Sequence, residues 1–293
     1  MKTLFEDTVG REDTHATLLI RVVNVALRMA ARSVREYSDK KSPKVFTQRQ
    51  LVACLLLKTY LRTTYRGVAE QLTLMPAVRE AIGLKQVPHW TTLQKFADRA
   101  NILTLVDRAL KELGREVLGG ATPEAAMDST GVETTCASAH FVSRRGNKRG
   151  KFVKLSIVAL CGLVMPVALV VGWGPGSDHT DAVTLARKAA RVLTPRTLWC
   201  DKGYDSEAFH QHCWNTWGTI SFAPARMREG QVVVSGDHRW MMKEKWPGYG
   251  RRWHVESVNS GMKRTVGSTL AARTERTLFH EAALKVLTYA IRV

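Results

Sequence analysis

The sequence predicts an α/β fold in which a mixed β-sheet flanked by helices follows an all-α N-terminal region. Three observations predict this fold. Apolar residues recur at helical spacing through the first 120 residues, where polar or glycine-containing linkers separate the segments. From residue 121, short apolar runs typical of strands appear. The later runs alternate with helical segments, which is typical of strands joined by crossover helices.

The N-terminal region, residues 1–120, is predicted to be built from short helices. Its order of helix, turn, helix and capped helix favours a helix-turn-helix-like DNA-binding unit, with Thr91 and Gln94 as the capping box of the last helix. Three short helices are also typical of any small α domain, and a dimer contact is a second use for this region. Helices are expected over residues 12–37, 47–62, 65–74, 77–82, 91–100 and 103–118.

The C-terminal region, residues 121–293, is predicted to contain strands and the helices that connect them. Its basic segment 226–248, which carries Met and Trp residues, is expected to be an insertion outside that pattern. Strands are expected over residues 125–135, 153–160, 164–171, 197–200 and 219–223. Helices are expected over residues 181–193, 205–214, 249–263 and 274–291.

One polar helix face is predicted near the C-terminus of the chain. A phenol, a guanidinium, a carboxylate and an ammonium on one face are untypical of a core, although a solvated helix with ion pairs has the same spacing. The opposite face can pack inward through Val255, Val258 and Met262. The polar positions are Tyr249, Arg252, Glu256, either Asn259 or Ser260, and Lys263.

Two further acids follow apolar runs that are predicted to be strands. Asp128 follows Ala125–Met127, and Asp201 follows the run that ends at Cys200. An acid at the end of a rigid strand is well placed for a site. Together with Glu256, these acids can converge on hard divalent cations, which prefer oxygen ligands. The residues alone therefore indicate a metal-dependent nuclease or another phosphoryl-transfer enzyme.

Three motifs in order resemble those of the DDE transposases of bacterial insertion sequences, the four/five grouping. They are Asp-Ser-Thr-Gly from Asp128, Asp-Lys-Gly-Tyr-Asp-Ser from Asp201, and a Tyr-x2-Arg-x3-Glu-x6-Lys pattern that begins at Tyr249. The resemblance covers roughly residues 122–293. It implies that Asp128, Asp201 and Glu256 are catalytic and hold two Mg²⁺ ions, for which Mn²⁺ substitutes.

The resemblance also implies an activity and partners. The protein would bind the terminal inverted repeats of a mobile element, cleave the DNA ends and join their 3′-hydroxyls to target DNA. Double-stranded DNA is then the partner, and a homodimer is expected because two ends must be held together. A metal-dependent nuclease or resolvase of the same fold is one alternative. A domesticated DNA-binding protein is another, although binding alone would not need the acids.

The predicted order of elements is that of a ribonuclease-H-like fold. In this order an antiparallel meander feeds parallel crossovers, so strand one lies next to strand four. Asp128 and Asp201 would then be neighbours, with the helix that carries Glu256 beside them. A cluster of carboxylates without metal repels itself, so at least one raised pKa is expected.

Net charge and local basic runs indicate contact with DNA. The chain has 44 Lys and Arg against 26 acids, a formal charge of +18, which is typical of proteins that bind polyanions and also of some basic soluble proteins. A basic run between Glu133 and Asp178 is predicted to contact phosphates, with a solvated charge run as the alternative. Its members are Arg144, Arg145, Lys148, Arg149, Lys151 and Lys154.

Other side chains receive more specific expectations. Tyr249 and Lys263 are expected to contact the DNA end, and Arg252 is expected either to hold a phosphate of that end or to orient Glu256. Trp240 and Trp246 either stack on an unpaired base or pack. The acids Asp178, Asp181 and Asp205 are expected to cap helices.

The remaining features favour a cytoplasmic, nucleoid-associated protein. The longest apolar run, residues 157–171, is interrupted by Gly162 and Pro166 and is too short to span a bilayer. No signal-peptide pattern begins the chain, and its five scattered cysteines fit a reducing compartment.

Overall fold

The helices before residue 120 form largely where their apolar spacing predicts them. The computed structural model describes residues 17–134, 151–227, 234–244 and 246–293. The first helix, α1, follows its N-cap Thr17 and ends at Ser33, before the predicted Tyr37, because Val34 is extended. The helices are α1 (Leu18–Ser33), α2 (Gln48–Tyr60), α3 (Tyr65–Leu74), α4 (Pro76–Ile82), α5 (Trp90–Arg99) and α6 (Ile102–Leu118).

One local prediction about this region is wrong. The helix α5 begins at Trp90, and its N-cap is His89, whose Nδ1 accepts the Thr91 amide at 3.4 Å. Thr91 therefore lies inside the first turn instead of capping it. A capping box is present at α2, where Thr47 and Gln50 satisfy each other's backbone amides.

The second half of the chain forms the predicted mixed sheet flanked by helices. Short 3₁₀ turns at Lys202–Tyr204 and Tyr249–Arg252 precede α8 and α10. The strands are β1 (Glu124–Thr134), β2 (Phe152–Leu160), β3 (Met165–Gly174), β4 (Thr197–Cys200), β5 (Ser221–Phe222) and β6 (Thr269–Leu270). The helices are α7 (His179–Ala189), α8 (Glu207–Trp217), α9 (Asp237–Met241), α10 (Trp253–Val266) and α11 (Glu275–Arg292).

Strand order in the sheet is β3-β2-β1-β4-β5, with β6 paired to the far end of β1. The first three strands are antiparallel, while β4 runs parallel to β1 and β5 runs parallel to β4. The predicted adjacency of strands one and four is therefore confirmed. Complete burial of Ala125, Ala126 and Met127 explains why β1 lies at the centre of the sheet.

The chain divides into two compact units. The helical unit takes the chain through Leu113, then Met262–Ser268 and Ala272–Val293. The sheet unit takes Gly114–Gly261 and Thr269–Ala271. In the helical unit α11 packs on α1, α2 and α5. This C-terminal helix therefore groups with the N-terminal helices, whereas the sequence predicts a division of the chain at residue 120. The division of function at residue 120 stays a prediction. None of the helices that the structure describes is long and apolar enough to cross a membrane.

Candidate active site

The parallel pairing of β1 and β4 brings two acids to one edge of the sheet. Met127 pairs with Cys200, so Asp128 and Asp201 each follow the last paired residue of that ladder. Asp201 then turns the chain, because its Oδ2 accepts the Gly203 amide at 3.3 Å. The end of the parallel β1–β4 ladder, which for β1 falls in mid-strand, thus brings together two carboxylates that are distant in sequence.

A third contact attaches the helix α10 to this edge. The Asn259 side chain is only 7% exposed, and its Nδ2 donates to Asp128 Oδ2 at 3.2 Å. Its Oδ1 is buried and has no hydrogen-bond partner among the residues that the structure describes. The sequence left Asn259 and Ser260 as equal candidates for this face, and the structure brings Asn259 to the acid.

Burial raises the pKa of Asp128 to about 6, and the nearby carboxylates of Asp201 and Asp178 add to the increase. The Ser129 amide and the Arg252 guanidinium oppose it. A raised pKa at one of the acids was predicted, but the expected cause was repulsion. Burial is the larger cause here because Asp128 lies within the central strand β1, where it pairs with Ile157 of β2.

Arg252 lies between the second and third acids. Its Nη1 is 3.8 Å from Asp201 Oδ1, and its Nη2 donates to Glu256 Oε1. The Glu256 side chain is about half exposed, so this ion pair holds a carboxylate that solvent can reach. One guanidinium therefore neutralises a strand acid and a helix acid together.

The prediction of one continuous helix from Tyr249 to Lys263 is wrong in its first turn. Residues Tyr249–Arg252 form the 3₁₀ turn, and α10 begins only at Trp253. Gly248 has a φ of 94°, which reverses the chain before the turn. The Tyr249 hydroxyl donates to the Cys200 carbonyl at 3.3 Å, so this side chain ties the turn to β4.

Aromatic rings pack beside that turn. The Tyr249 ring meets those of Trp199 and Phe222 edge to face, and Trp246 packs on Phe222 with ring centroids 5.3 Å apart. Trp246 and Tyr249 also line a cavity of about 580 Å³ with Phe222, Pro224, Ala225 and Met242. By contrast, Trp240 is 65% exposed. Stacking on a base by either tryptophan stays a prediction.

A buried lysine explains two acids that the sequence assigned to helix capping. Lys154 is 5% exposed, and its Nζ lies 2.8 Å from Asp181 Oδ2 and 3.4 Å from Asp178 Oδ1. Asp178 occupies the N-cap position of α7 without a side-chain cap bond. Asp178 thus takes the predicted N-cap position, but its carboxylate pairs with Lys154 instead of capping the helix. The capping role of Asp181, which lies inside the first turn, is wrong, and so is the assignment of Lys154 to a phosphate track. A buried ammonium requires such partners.

This cluster continues to the strand that carries Asp128. Ser156 donates to Asp181 at 3.0 Å, and Ser129 is hydrogen-bonded to Ser156 and to Tyr204. Sequence reasoning missed this network because its members are far apart in the chain. One local trace is the glycine of the Asp201 motif, since a Cβ on Gly203 would lie 2.9 Å from Asp178 Oδ2.

Asp205 is also buried in an ion pair instead of capping a helix. Ser206 caps α8, while Asp205 accepts hydrogen bonds from the guanidinium of Arg239 and, at 2.6 Å, from the amide of Arg226. Burial alone would raise the pKa of Asp205, but these bonds and one with His210 lower it to about 2. Asp205 therefore anchors the inserted segment to the sheet unit.

Comparison with known protein families identifies the chain. Residues 120–291 match the model of the transposase DDE domain, which is more than half of the 293 residues. The chain belongs to this transposase family. A search of curated proteins finds no match.

The other predicted DNA contacts of the transposase fall in different places. Arg144, Arg145, Lys148 and Arg149 lie outside the described residues. Lys151 is exposed, and its Nζ lies 4.0 Å from the centroid of the Trp173 ring. Lys263 lies on α10, seven residues after Glu256.

The acids fit a divalent cation only in part. Within the described residues, no group of three or more His, Cys, Asp or Glu side chains is arranged to hold a metal ion. Asp128 and Asp201 supply oxygen donors just beyond the end of the β1–β4 ladder. The side chain of Asn259, which donates to Asp128 through Nδ2, also carries a buried Oδ1 with no partner among the described residues. This donor set suits Mg²⁺, whereas Glu256 is engaged by Arg252.

Proposed function

We propose that the protein is an insertion-sequence transposase with a ribonuclease-H-like catalytic domain. It binds the terminal inverted repeats of its element, cleaves the DNA ends and joins the 3′-hydroxyls to target DNA. The observation that carries this proposal is the parallel pairing of Met127 with Cys200, which places Asp128 beside Asp201. The bond from Asn259 to Asp128 adds the helix that carries Glu256.

In this proposal Asp128, Asp201 and Glu256 are the catalytic acids and hold two Mg²⁺ ions, for which Mn²⁺ substitutes. Two such ions, when bound, activate a water or a 3′-hydroxyl and stabilise the leaving oxygen. Asp128 must be deprotonated to ligate a cation, and its raised pKa of about 6 means that loading the site releases a proton when the pH is near or below 6.

Arg252 has two tasks in this reaction. Without metal it neutralises Asp201 and Glu256, which would otherwise repel each other and Asp128. Glu256 can ligate a cation together with the other two acids only when its ion pair with Arg252 breaks. The released guanidinium then suits a phosphate of the DNA end, because its fork matches phosphate oxygens.

The remaining contacts are proposed from charge and position. Lys263 reaches a phosphate of the reacting end, and Lys151 continues the basic run Arg144, Arg145, Lys148 and Arg149. Tyr249 holds the 3₁₀ turn against β4 and lines the cavity beside Trp246, where an unpaired base would fit. Trp240 is exposed enough to stack on DNA directly.

We further propose how the whole chain acts. The helices before residue 120 recognise the inverted repeat, and two copies pair the two ends of double-stranded DNA. The protein works in the cytoplasm at the nucleoid, as its net charge of +18 favours. A nuclease or resolvase of the same fold would cut without joining, so joined products distinguish the alternatives.

The acids provide the test. Asp128→Asn, Asp201→Asn and Glu256→Gln are each expected to reduce cleavage of an end-bearing duplex in Mg²⁺ to the level seen with excess chelator. Gel-shift affinity for the same duplex should persist in all three. Asp39→Asn, an exposed acid in the helical unit, is the matched control and should cleave like the wild type. Near-normal cleavage by any one acid variant would remove that residue from the site.

A further inference from the structure

Two cations hold the end of the helix that carries Glu256. An α-helix leaves its last four carbonyls without intrahelical partners. Arg62 Nε donates to the Thr265 carbonyl at 2.9 Å, and its Nη2 donates to that of Arg264. Lys285 Nζ donates to the carbonyl of Val266 and, at 3.1 Å, to that of Gly267. Four consecutive carbonyls, the last three of α10 and that of Gly267 just after it, are thus satisfied by two side chains.

Unusual local features accompany both cations at this helix end. Arg62 lies in the turn between α2 and α3 with a φ of 51°, a conformation that residues other than glycine rarely adopt. Lys285 lies in the middle of α11 and is only 6% exposed, although an ammonium is costly to bury. Gly267 has a φ of 87°, and a Cβ there would lie 3.2 Å from Lys285 Nζ. An unusual backbone, a buried charge and a required glycine therefore meet at this one helix end.

The position of this helix end matters for the candidate active site. The division between the compact units falls inside α10, so Glu256 and Asn259 belong to the sheet unit while the last turn belongs to the helical unit. Glu256 lies about 12 Å along the axis from Arg264, at 1.5 Å per residue. Without bonds to its carbonyls the last turn of a helix frays, and fraying there loosens the helix that carries Glu256. A displacement of about 1 Å at a reacting group costs about a hundredfold in rate.

We propose that Arg62 and Lys285 are positioning residues of the transposition reaction. By bonding the last carbonyls of α10 they keep the helix that carries Glu256 and Lys263 formed to its end, so that both side chains keep their spacing on one helix; this role rests on the function proposed above. Both cations also oppose the partial negative charge of the helix C-terminus. Arg62 lies three residues before Tyr65, where α3 begins. One of the two side chains that bond the end of α10 therefore comes from the predicted DNA-binding region.

Arg62→Met tests this assignment, because it keeps the stem and the left-handed backbone position but removes both donors. The single-turnover cleavage rate should fall about 10- to 100-fold, and the Mg²⁺ concentration for half-maximal cleavage should rise several-fold. The Kd for the end-bearing duplex should stay within about twofold, since Arg62 is already engaged by the protein. Arg62→Lys should recover part of the rate, because one donor remains.

Arg276→Met is the matched control. It also removes an arginine bond to a backbone carbonyl in the helical unit, from Arg276 Nη2 to the carbonyl of Arg99 at 3.1 Å, but leaves α10 untouched. This variant should keep the wild-type rate and Mg²⁺ midpoint. An equal loss in Arg276→Met would overturn the inference, because the effect would then be general destabilisation. Thermal melts of each variant measure that destabilisation directly.

Two further outcomes separate this inference from the proposed function. If the wild type cleaves and Arg62→Met has the same cleavage rate and Mg²⁺ midpoint as the wild type, the positioning role is overturned but the proposed function is not. If Arg62→Met does not fold, the same measurements on Arg62→Lys decide, and a wild-type rate and Mg²⁺ midpoint there would contradict the need for the two-donor fork. Absence of Mg²⁺-dependent cleavage in the wild type and in every variant would instead overturn the proposed function, and this inference with it.

Discussion

At the scale of single residues, the candidate site is balanced by internal partners before any metal or DNA arrives. Arg252 neutralises Asp201 and Glu256, and Asn259 donates to Asp128. Clustered carboxylates would otherwise repel one another at a cost that grows with burial. The same partners fix the orientation of these three acids, so part of the candidate site is preorganised.

Asn259 is the residue whose loss best tests this preorganisation. Its buried Oδ1 has no partner within the described part of the chain, and an unpaired buried acceptor costs about 1–3 kcal/mol. The bond that offsets part of this cost is the one from Nδ2 to Asp128. Asn259→Ala should lower single-turnover cleavage about 10- to 100-fold and raise the Mg²⁺ requirement, as loss of a supporting bond does at metal sites.

Ser260→Ala is the control for Asn259→Ala. Ser260 is the neighbouring candidate on the same predicted face, but it is exposed, and its hydroxyl donates to the Ser257 carbonyl at 3.3 Å. It should behave like the wild type in cleavage, Mg²⁺ titration and melting. Equal loss in both variants would mean that the bond to Asp128 has no special role.

The site could be predicted from sequence where chemistry follows the local pattern. Asp128 and Asp201 each end an apolar run, and adjacent strands bring such ends together. Asn259 could not be separated from Ser260, because successive helix positions differ by only about 100° and the start of α10 was misplaced. The partners of Asp181 and Asp205 could not be found either, since Lys154 and Arg239 are distant in sequence.

At the scale of elements, the inserted segment is attached to the sheet unit by two acids. Asp205 holds Arg239, and Glu207 accepts hydrogen bonds from the backbone amides of His238 and Arg239 and from the His238 ring. The segment thereby presents α9 with the exposed Trp240. Insertions usually tolerate change, but this one depends on a buried ion pair, so its attachment should depend on pH.

Asp205→Asn tests that dependence. The folded-state pKa of Asp205, about 2, lies below the ordinary 3.8, so its ionised form stabilises the fold above about pH 4, and that contribution disappears as the pH falls through 2. The variant should lose about 2 kcal/mol of unfolding free energy at pH 7, because Arg239 keeps its charge without its partner. The difference from wild type should stay constant down to about pH 4 and narrow below it.

Urea titrations at several pH values measure this difference. Asp237→Asn, an exposed acid in the first turn of α9, should change the unfolding free energy by less than about 0.5 kcal/mol at every pH. A deficit in Asp205→Asn that is constant from pH 7 to 2.5 would show that packing, rather than ionisation, is what Asp205 contributes.

At the scale of the whole molecule, the family domain and the compact units have different boundaries. The transposase DDE domain covers residues 120–291, but α11 packs on α1, α2 and α5 in the helical unit. The spacing of apolar residues in α11 predicts a helix, but it does not indicate which other helices or strands pack against that helix. From Ala282 to Ile291 every residue of α11 is buried, which is typical of a central helix rather than of a surface one.

This packing predicts that the region 121–293 does not fold well without the N-terminal helices. In that fragment α11 would expose Leu278, Ala282, Val286 and Leu287, all of which are buried in the whole chain. At about 25 cal/mol per Å² of apolar surface, each large side chain forfeits about 1.5–3 kcal/mol. The fragment should self-associate, bind a hydrophobic dye and melt without a sharp transition, whereas the whole chain melts cooperatively.

Fragment 121–274, which lacks α11, distinguishes two effects: the exposure of the apolar side chains of α11, and the loss of the contacts that α11 makes with α10. It removes the apolar helix, so it should associate less and bind less dye than fragment 121–293, but it also loses Lys285 from the end of α10. Its last helix should therefore fray, with a loss of helical circular dichroism beyond that of the deleted residues. A fragment 121–293 that is monomeric and melts cooperatively near the temperature of the whole chain would mean that α11 finds sufficient partners within the sheet unit.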